Sequence, residues 1–335
     1  MSPPPLPFVA IAWDAALADA LANASAALAR LDARVGASSL APGWKLRASW
    51  MGYASALSFQ LSPLEEMDII AQRCGLRLAG RPLPRTDDEP FAAYDPWLAI
   101  LNEPHGRHWA ENLPFTFDPP DGWRTAPDLI RALTLFDQYA RADRTAAAWL
   151  AFPVILRRMG LTRCALPCIV PGDAAQRRAH EPRPVLLKRL LRHVLRTAQD
   201  GLERLERLEV ATRRAADAIA TEHRPGKLLD LGRITLTRPC LAARSLAPML
   251  GITISGAGKL LERASTLGLM VEISGRESWR TYLSPDVATA LLLRPADRGR
   301  PPSGSSPGAD VSTILGAFDE EMAQIDARLA KLGLR

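Results

Sequence analysis

Residues 238 to 283 read RPCLAARSLAPMLGITISGAGKLLERASTLGLMVEISGRESWRTYL, and their spacing constrains the fold more than any other feature of the chain. A first short helix is predicted from about Leu241 to Leu250, with Leu241, Ala243, Leu246, Ala247 and Leu250 sharing an inward face at helical spacing. Ala247 is small enough for two helices to cross closely. Gly251 then breaks the helix, because glycine enters a left-handed turn without a Cβ penalty. Thr253 is placed to cap a second helix whose inward positions are Ile254, Ala257, Leu260, Leu261 and Ala264. Gly268 ends that helix. Leu269 to Ile273 and Ser278 to Leu283 read as strands around a Ser274-Gly275-Arg276-Glu277 turn. A helix pair followed by a basic hairpin predicts a winged helix-turn-helix, which makes nucleic acid the first partner to consider; protein contact is the other use of such a module.

In that fold the second helix enters the major groove. Its faces not used for packing carry Ser255, Gly256, Lys259, Glu262, Arg263 and Thr266. Ser255, Lys259 and Arg263 lead the predicted DNA contacts, with Thr253 and Thr266 beside them. Arg276 and Arg280 in the hairpin are placed to meet phosphate or the minor groove, where positive charge binds regardless of sequence. Glycines at 256 and 258 each weaken the helix by about 1 kcal/mol relative to alanine.

Charge is distributed in keeping with a polyanionic partner. The 335 residues carry a net +6, but residues 1 to 139 hold 11 basic and 16 acidic side chains, whereas 140 to 226 hold 17 and 9, and 227 to 294 hold 9 and 5. The positive field is therefore central and C-terminal, next to the predicted helix pair. An arginine-rich solvated surface would produce the same counts. With 47% hydrophobic residues the chain can bury a sizeable core and form two or three units.

The four cysteines, Cys74, Cys164, Cys168 and Cys240, are few and scattered, which predicts a reduced, cytoplasmic protein without a disulfide framework. Cys164 and Cys168 lack a second ligand pair nearby, so no zinc site is expected. The start, MSPPPLPFVAIAW, has no basic n-region or long apolar core, and no run of about 18 apolar residues occurs. Neither secretion nor a membrane span is expected.

The fold class expected is mostly α: an N-terminal helical domain over residues 1–172, basic connecting helices over 173–226, the winged helix over 227–295, a flexible linker over 296–309 and an amphipathic helix over 310–335. Residues 8 to 36 are helical, with Trp13, Leu17, Leu21, Leu28 and Leu31 as core contacts. Ser62-Pro63-Leu64-Glu65 reads as a helix start with serine as cap. From Gly80 to Gly122 prolines are frequent and periodicity is poor, so an irregular stretch anchored by Phe91, Tyr94, Trp97 and Trp109 is predicted. Thr125-Ala126-Pro127-Asp128 opens another helix, and Thr145 to Met159 is apolar enough to be buried. Residues 185 to 198 place Val185, Leu186, Leu187, Leu190, Leu191, Val194 and Leu195 opposite Lys188, Arg189, Arg192, His193 and Arg196. Core packing explains that face better than a membrane surface or calmodulin-type partner.

After the linker ADRGRPPSGSSPGA, Val311, Leu315, Phe318, Met322, Ile325, Leu329 and Leu332 recur at steps of four and three. This heptad seam fits a homodimer contact through Leu315, Phe318, Met322, Ile325 and Leu329. It equally fits docking onto the same chain.

The words FVAIAWDAALADALA, LARLDARVGASSLAPGW, LRRMGLTRCALPCIVPG and TRPCLAARSLAPMLGITISGAGKLLERASTLGLMVEISGRESWRTYLS carry a resemblance. The chain resembles an uncharacterised, often plasmid-borne bacterial family with an N-terminal domain of unknown function and a C-terminal helix-turn-helix. More distantly, it is similar to the C-terminal half of Fic-type proteins. The resemblance covers most of the chain outside about 46 to 145 and implies DNA binding through the helix-turn-helix. It supplies no catalytic residues. The Fic signature H-x-F-x-D/E-G-N-G-x-x-R has no counterpart, and the nearest loop, Glu103-Pro104-His105-Gly106-Arg107-His108, lacks the downstream Gly-Asn-Gly.

His105 and His108 with Glu103 and Glu111 do not share an established helical face, so a surface loop is predicted rather than a metal site. Phosphate-loop, nucleophile-elbow and zinc-protease motifs are missing. GITISGAG has no preceding strand in its predicted setting, which removes the dinucleotide reading. The sequence thus predicts a DNA-binding transcriptional regulator without enzymatic activity or cofactor. Its alternative is a catalytically empty Fic-like protein whose winged helix contacts another protein.

Overall fold

The computed structural model of the chain describes residues 6–59, 64–78, 81, 89–103, 108–111, 113–143, 145–171, 182–274 and 280–293. These belong to one compact unit, Met1–Pro295. A second unit, Ala296–Arg335, lies outside the described residues, and with it the heptad positions Leu315, Phe318, Met322, Ile325 and Leu329. Helix dominates, as the periodicity predicts. No helix among the described residues is long and apolar enough to cross a membrane.

Helix α1 (Ala15–Ala37) begins where the Asp14 carboxylate accepts the Leu17 N–H at 2.7 Å. Leu17, Leu28 and Leu31 face inward, whereas Trp13 precedes the helix and stays 47% exposed. After α2 (Ala41–Ser58), α3 (Glu66–Cys74) starts later than the Ser62-Pro63 signal predicts. Its first turn is closed by Asp68, which accepts the Glu65 N–H at 2.8 Å, so Glu65 rather than a serine stands at the cap. Ser62 and Pro63 lie outside the described residues.

The stretch predicted to be irregular contains two short helices, α4 (Glu89–Ala92) and α5 (Tyr94–Leu101). Its aromatic anchors hold: Phe91, Tyr94 and Trp97 are buried, and Trp109 meets Trp123 and Phe117 at centroid distances of 5.2 and 5.5 Å. Helices α6 (Asp128–Ala142) and α7 (Ala147–Arg158) complete this body, joined through edge-on contacts of Phe136 with Trp149 and Phe152. His108 is exposed and Glu103 pairs with Arg158 at 3.2 Å, while His105 lies outside the described residues. Among the described residues, no three His, Cys, Asp or Glu side chains converge as metal ligands.

The spine is α8 (Arg183–Ala220), 38 residues without a break. Arg183 anchors its start, donating to both carboxylate oxygens of Asp137 at 3.0 and 2.6 Å and lying 4.1 Å from the Phe8 ring centroid. Leu186, Leu187, Leu190, Leu191 and Val194 are buried against the body, so the amphipathic face is used in the core; Val185, in the first turn, stays exposed. Gly201 is accommodated within the helix, and its carbonyl accepts the Trp44 Nε1–H at 2.8 Å. Helix α9 (Leu228–Thr237) follows, over residues that the sequence reading left without an element.

Candidate nucleic-acid interface

Strand β1 (Cys240–Ala242), helices α10 (Ala243–Leu250) and α11 (Ile254–Thr266), strands β2 (Val271–Glu272) and β3 (Thr281–Leu283), and helix α12 (Pro285–Ala290) follow in that order. The strands form one antiparallel sheet in the order β1-β3-β2, with Tyr282 opposite both Leu241 and Glu272. Residues predicted to open the first helix are therefore strand: Cys240 to Ala242 pair with β3, some 40 residues away, and that non-local pairing overrides the helical spacing. Ser245 Oγ then accepts the Ala242 N–H at 3.1 Å, fixing the start of α10 two residues later than expected. The strands β2 and β3 are shorter than predicted, and the hairpin tip with Arg276 lies outside the described residues.

The turn chemistry is as the sequence predicts. Gly251 adopts φ 64°, where any side chain would be strained, and Thr253 Oγ1 accepts the Gly256 N–H at 3.1 Å. Beneath α10 and α11 lies a small core of Leu241, Leu246, Ala247, Ala257, Leu261 and Ala264, closed by Met270 and Tyr282. Ile219 from α8 and Leu228 and Leu231 from α9 belong to the same core. Ile254 does not. It is 55% exposed, because at the first helical position its side chain leans toward an end where no further turn covers it.

The outward side of α11 presents Ser255, Lys259, Glu262 and Thr266, all exposed, with Thr253 at its N-terminus committed to the cap. Successive positions three or four apart make this one stripe. Thr266 Oγ1 donates back to the Glu262 carbonyl at 3.2 Å. Arg263 is not a freely projecting cation: its Nε donates to Glu222 Oε2 at 3.0 Å, tying α11 to the segment after α8. Arg280 is also engaged, with Glu262 at 3.4 Å and Glu272 at 3.6 Å, and its charged form is favoured first by the Tyr282 hydroxyl and then by Glu272. Arg238 and Arg244, at exposed positions flanking β1, are basic groups that the sequence reading did not single out. The signal for them was present in the run RPCLAAR, read there as a helix start.

One buried cation seats this module on the body. Arg47 from α2 donates to Asp286 on α12 and to the Leu236 carbonyl of α9 at 2.7 Å. It also donates to the Gly43 carbonyl at 3.1 Å. Burial pushes the Asp286 carboxyl up, but the Arg47 hydrogen bond and charge outweigh it and hold the group below its ordinary value. Beside this pair, a cleft of about 200 Å³ is lined by Leu208, Ile219, Leu236, Leu269 and Met270. That volume falls below the several hundred cubic ångströms usual for a drug-sized ligand.

No family model matches the chain, and no curated protein matches it in sequence.

Proposed function

We propose that this protein is a cytoplasmic DNA-binding transcriptional regulator in which residues 240–291 act as a winged helix-turn-helix on double-stranded DNA. The exposed polar stripe of a capped second helix, over a three-stranded antiparallel sheet, carries the proposal. In such modules the N-terminal residues of the second helix reach base edges. Ser255 and Lys259 supply polar contacts there, and the exposed Ile254 supplies an apolar surface suited to a thymine methyl. Arg276 and Arg280 belong to the hairpin expected to meet the backbone, and Arg263 exchanges its tie to Glu222 for phosphate or base. The helical body receives the signal, and the seam around Phe318 and Ile325 brings two copies together on inverted half-sites.

A specific observation favours a second reading. Glu262 sits within the stripe, and Arg263 and Arg280 are paired with glutamates, so the face is less positive than its arginine count suggests. That pattern suits contact with another protein, the function expected of a catalytically empty Fic-like chain.

A DNA-library selection with the full-length protein, followed by mobility shifts across a salt series, separates the two. The DNA reading expects an enriched motif whose affinity falls linearly on a log-log salt plot, and Lys259→Ala weakening it by about 1–3 kcal/mol. Failure of the folded protein to retard any DNA at low salt sinks the reading and moves the weight to a protein partner.

A further inference from the structure

Cys74 and Cys240 stand 166 residues apart in the chain and side by side in space. Cys74 is the last residue of α3, in the body, and Cys240 the first residue of β1, at the edge of the small sheet. The Cys240 thiol donates to the Cys74 carbonyl at 3.4 Å, which brings its sulfur up against the main chain of the other cysteine. Both side chains are only partly buried, so a small oxidant can reach them. We infer that these two cysteines form an oxidation site, at which a peroxide closes an intramolecular disulfide that bolts β1 to the end of α3. The inference holds whether or not the module binds DNA.

The surroundings set this pair of thiols apart from the other two. The hydrogen bond from the Cys74 thiol holds Cys240 below the ordinary thiol value against the effect of burial, while the same pairing, together with burial, pushes Cys74 up. Cys164 and Cys168 are both pushed up, each chiefly by burial, and Cys168 is sealed in the core against α8. The Cys74–Cys240 pair, rather than Cys164 or Cys168, is therefore where a thiolate is favoured.

The chemistry balances with hydrogen peroxide as the two-electron oxidant. The Cys240 thiolate attacks one peroxide oxygen; an S–O bond forms, the O–O bond breaks, and hydroxide leaves and takes up a proton. Cys74 then attacks the Cys240 sulfur of the sulfenic acid. The S–S bond forms, the S–O bond breaks, and the departing hydroxide leaves as water with the Cys74 proton. A second cysteine held beside the first by the fold makes this second step intramolecular, and so faster than further oxidation of the sulfenic acid. A disulfide also needs its two Cβ atoms about 3.5–4.5 Å apart; rotation about Cα–Cβ turns the two sulfurs toward each other, and any remaining approach comes from the main chain at the ends of α3 and β1.

The test uses the full-length reduced protein, treated with a few equivalents of hydrogen peroxide, quenched with an alkylating agent and digested without reductant. The expected result is a peptide carrying Cys74 joined to one carrying Cys240, with Cys164 and Cys168 recovered as free thiols and the link lost on adding dithiothreitol. Closing so long a loop should raise Tm by about 5 °C in the oxidised protein. Cys240→Ser should abolish the link and leave Cys74 open to alkylation, whereas Cys164→Ser should leave the link intact. Recovery of Cys240 as free thiol, as sulfinic acid beside an unmodified Cys74, or joined to a second copy of the chain overturns the inference.

Discussion

The body and the small C-terminal module solve packing differently. The body buries Trp44, Trp50, Tyr53, Tyr94, Phe136 and Phe152 almost completely, and its polar anchors, such as Arg183 on Asp137, are drawn inside as well. The module closes its core with Ala247, Ala257 and Ala264 between α10 and α11 and, among the described residues, one large aromatic, Tyr282. Large rings supply area per residue; small residues let two helices approach and leave their outer sides unencumbered. The difference teaches that the two interiors are filled by different means, aromatic rings in the body and close helix approach in the module, with Arg47 as the polar bolt between them beside Leu283, Val287 and Leu291, which reach into the body's core.

This contrast can be broken by substitution. Trp44→Ala should cost about 3–5 kcal/mol in denaturant unfolding, since it removes a buried ring together with its Nε1–H bond to the Gly201 carbonyl. An effect below about 1 kcal/mol would mean the aromatic interior is not the main source of stability. Arg47→Ala comes next, at about 3 kcal/mol, because it leaves Asp286 largely uncompensated. If the bolt joins two separately organised cores, that variant should also split one unfolding transition into two.

The same pair predicts a pH dependence. Asp286 is held below its ordinary value in the folded chain, so its contribution is present above the unfolded carboxylate range and is lost as pH falls through the lower folded value. Wild type should therefore lose stability on acidification below about pH 4, and Asp286→Asn should flatten that part of the curve. An unchanged acid limb would remove Asp286 as a contributor. Smaller still, Thr253→Ala should cost about 1 kcal/mol through the lost cap on α11. Lys259→Ala should change stability by less than about 0.5 kcal/mol, as expected for a side chain on the presenting face. A large loss at Lys259 would show that the stripe is structural.

What was legible in the sequence follows the range of the interaction. The Gly251 turn, the Thr253 cap, the inward Ala257, Leu261 and Ala264, and the long leucine face of α8 are fixed by residues within a few positions of one another, and spacing reveals them. The strand at Cys240 to Ala242 depends on partners near residue 282, and Arg263 is claimed by Glu222, 41 residues earlier. Neither periodicity nor charge counting reaches that far. Trp13, Val185 and Ile254 have the spacing of core residues, yet each lies just outside or at the first turn of its helix, where a neighbouring turn cannot cover it. Cys74 and Cys240 looked scattered for the same reason: chain distance conceals a contact made by folding.

The unbroken run of α8 has a mechanical consequence. Its first turns are clamped by Asp137, its middle lies in the aromatic body, and Ile219 near its far end sits in the module's own core, one turn before Glu222 takes hold of Arg263. At 1.5 Å per residue, its 38 residues span roughly 57 Å. Packed into the body from Leu186 to Leu208 and into the module's core at Ile219, one continuous helix gives the two cores a shared rigid element, so that neither can shift without carrying the other.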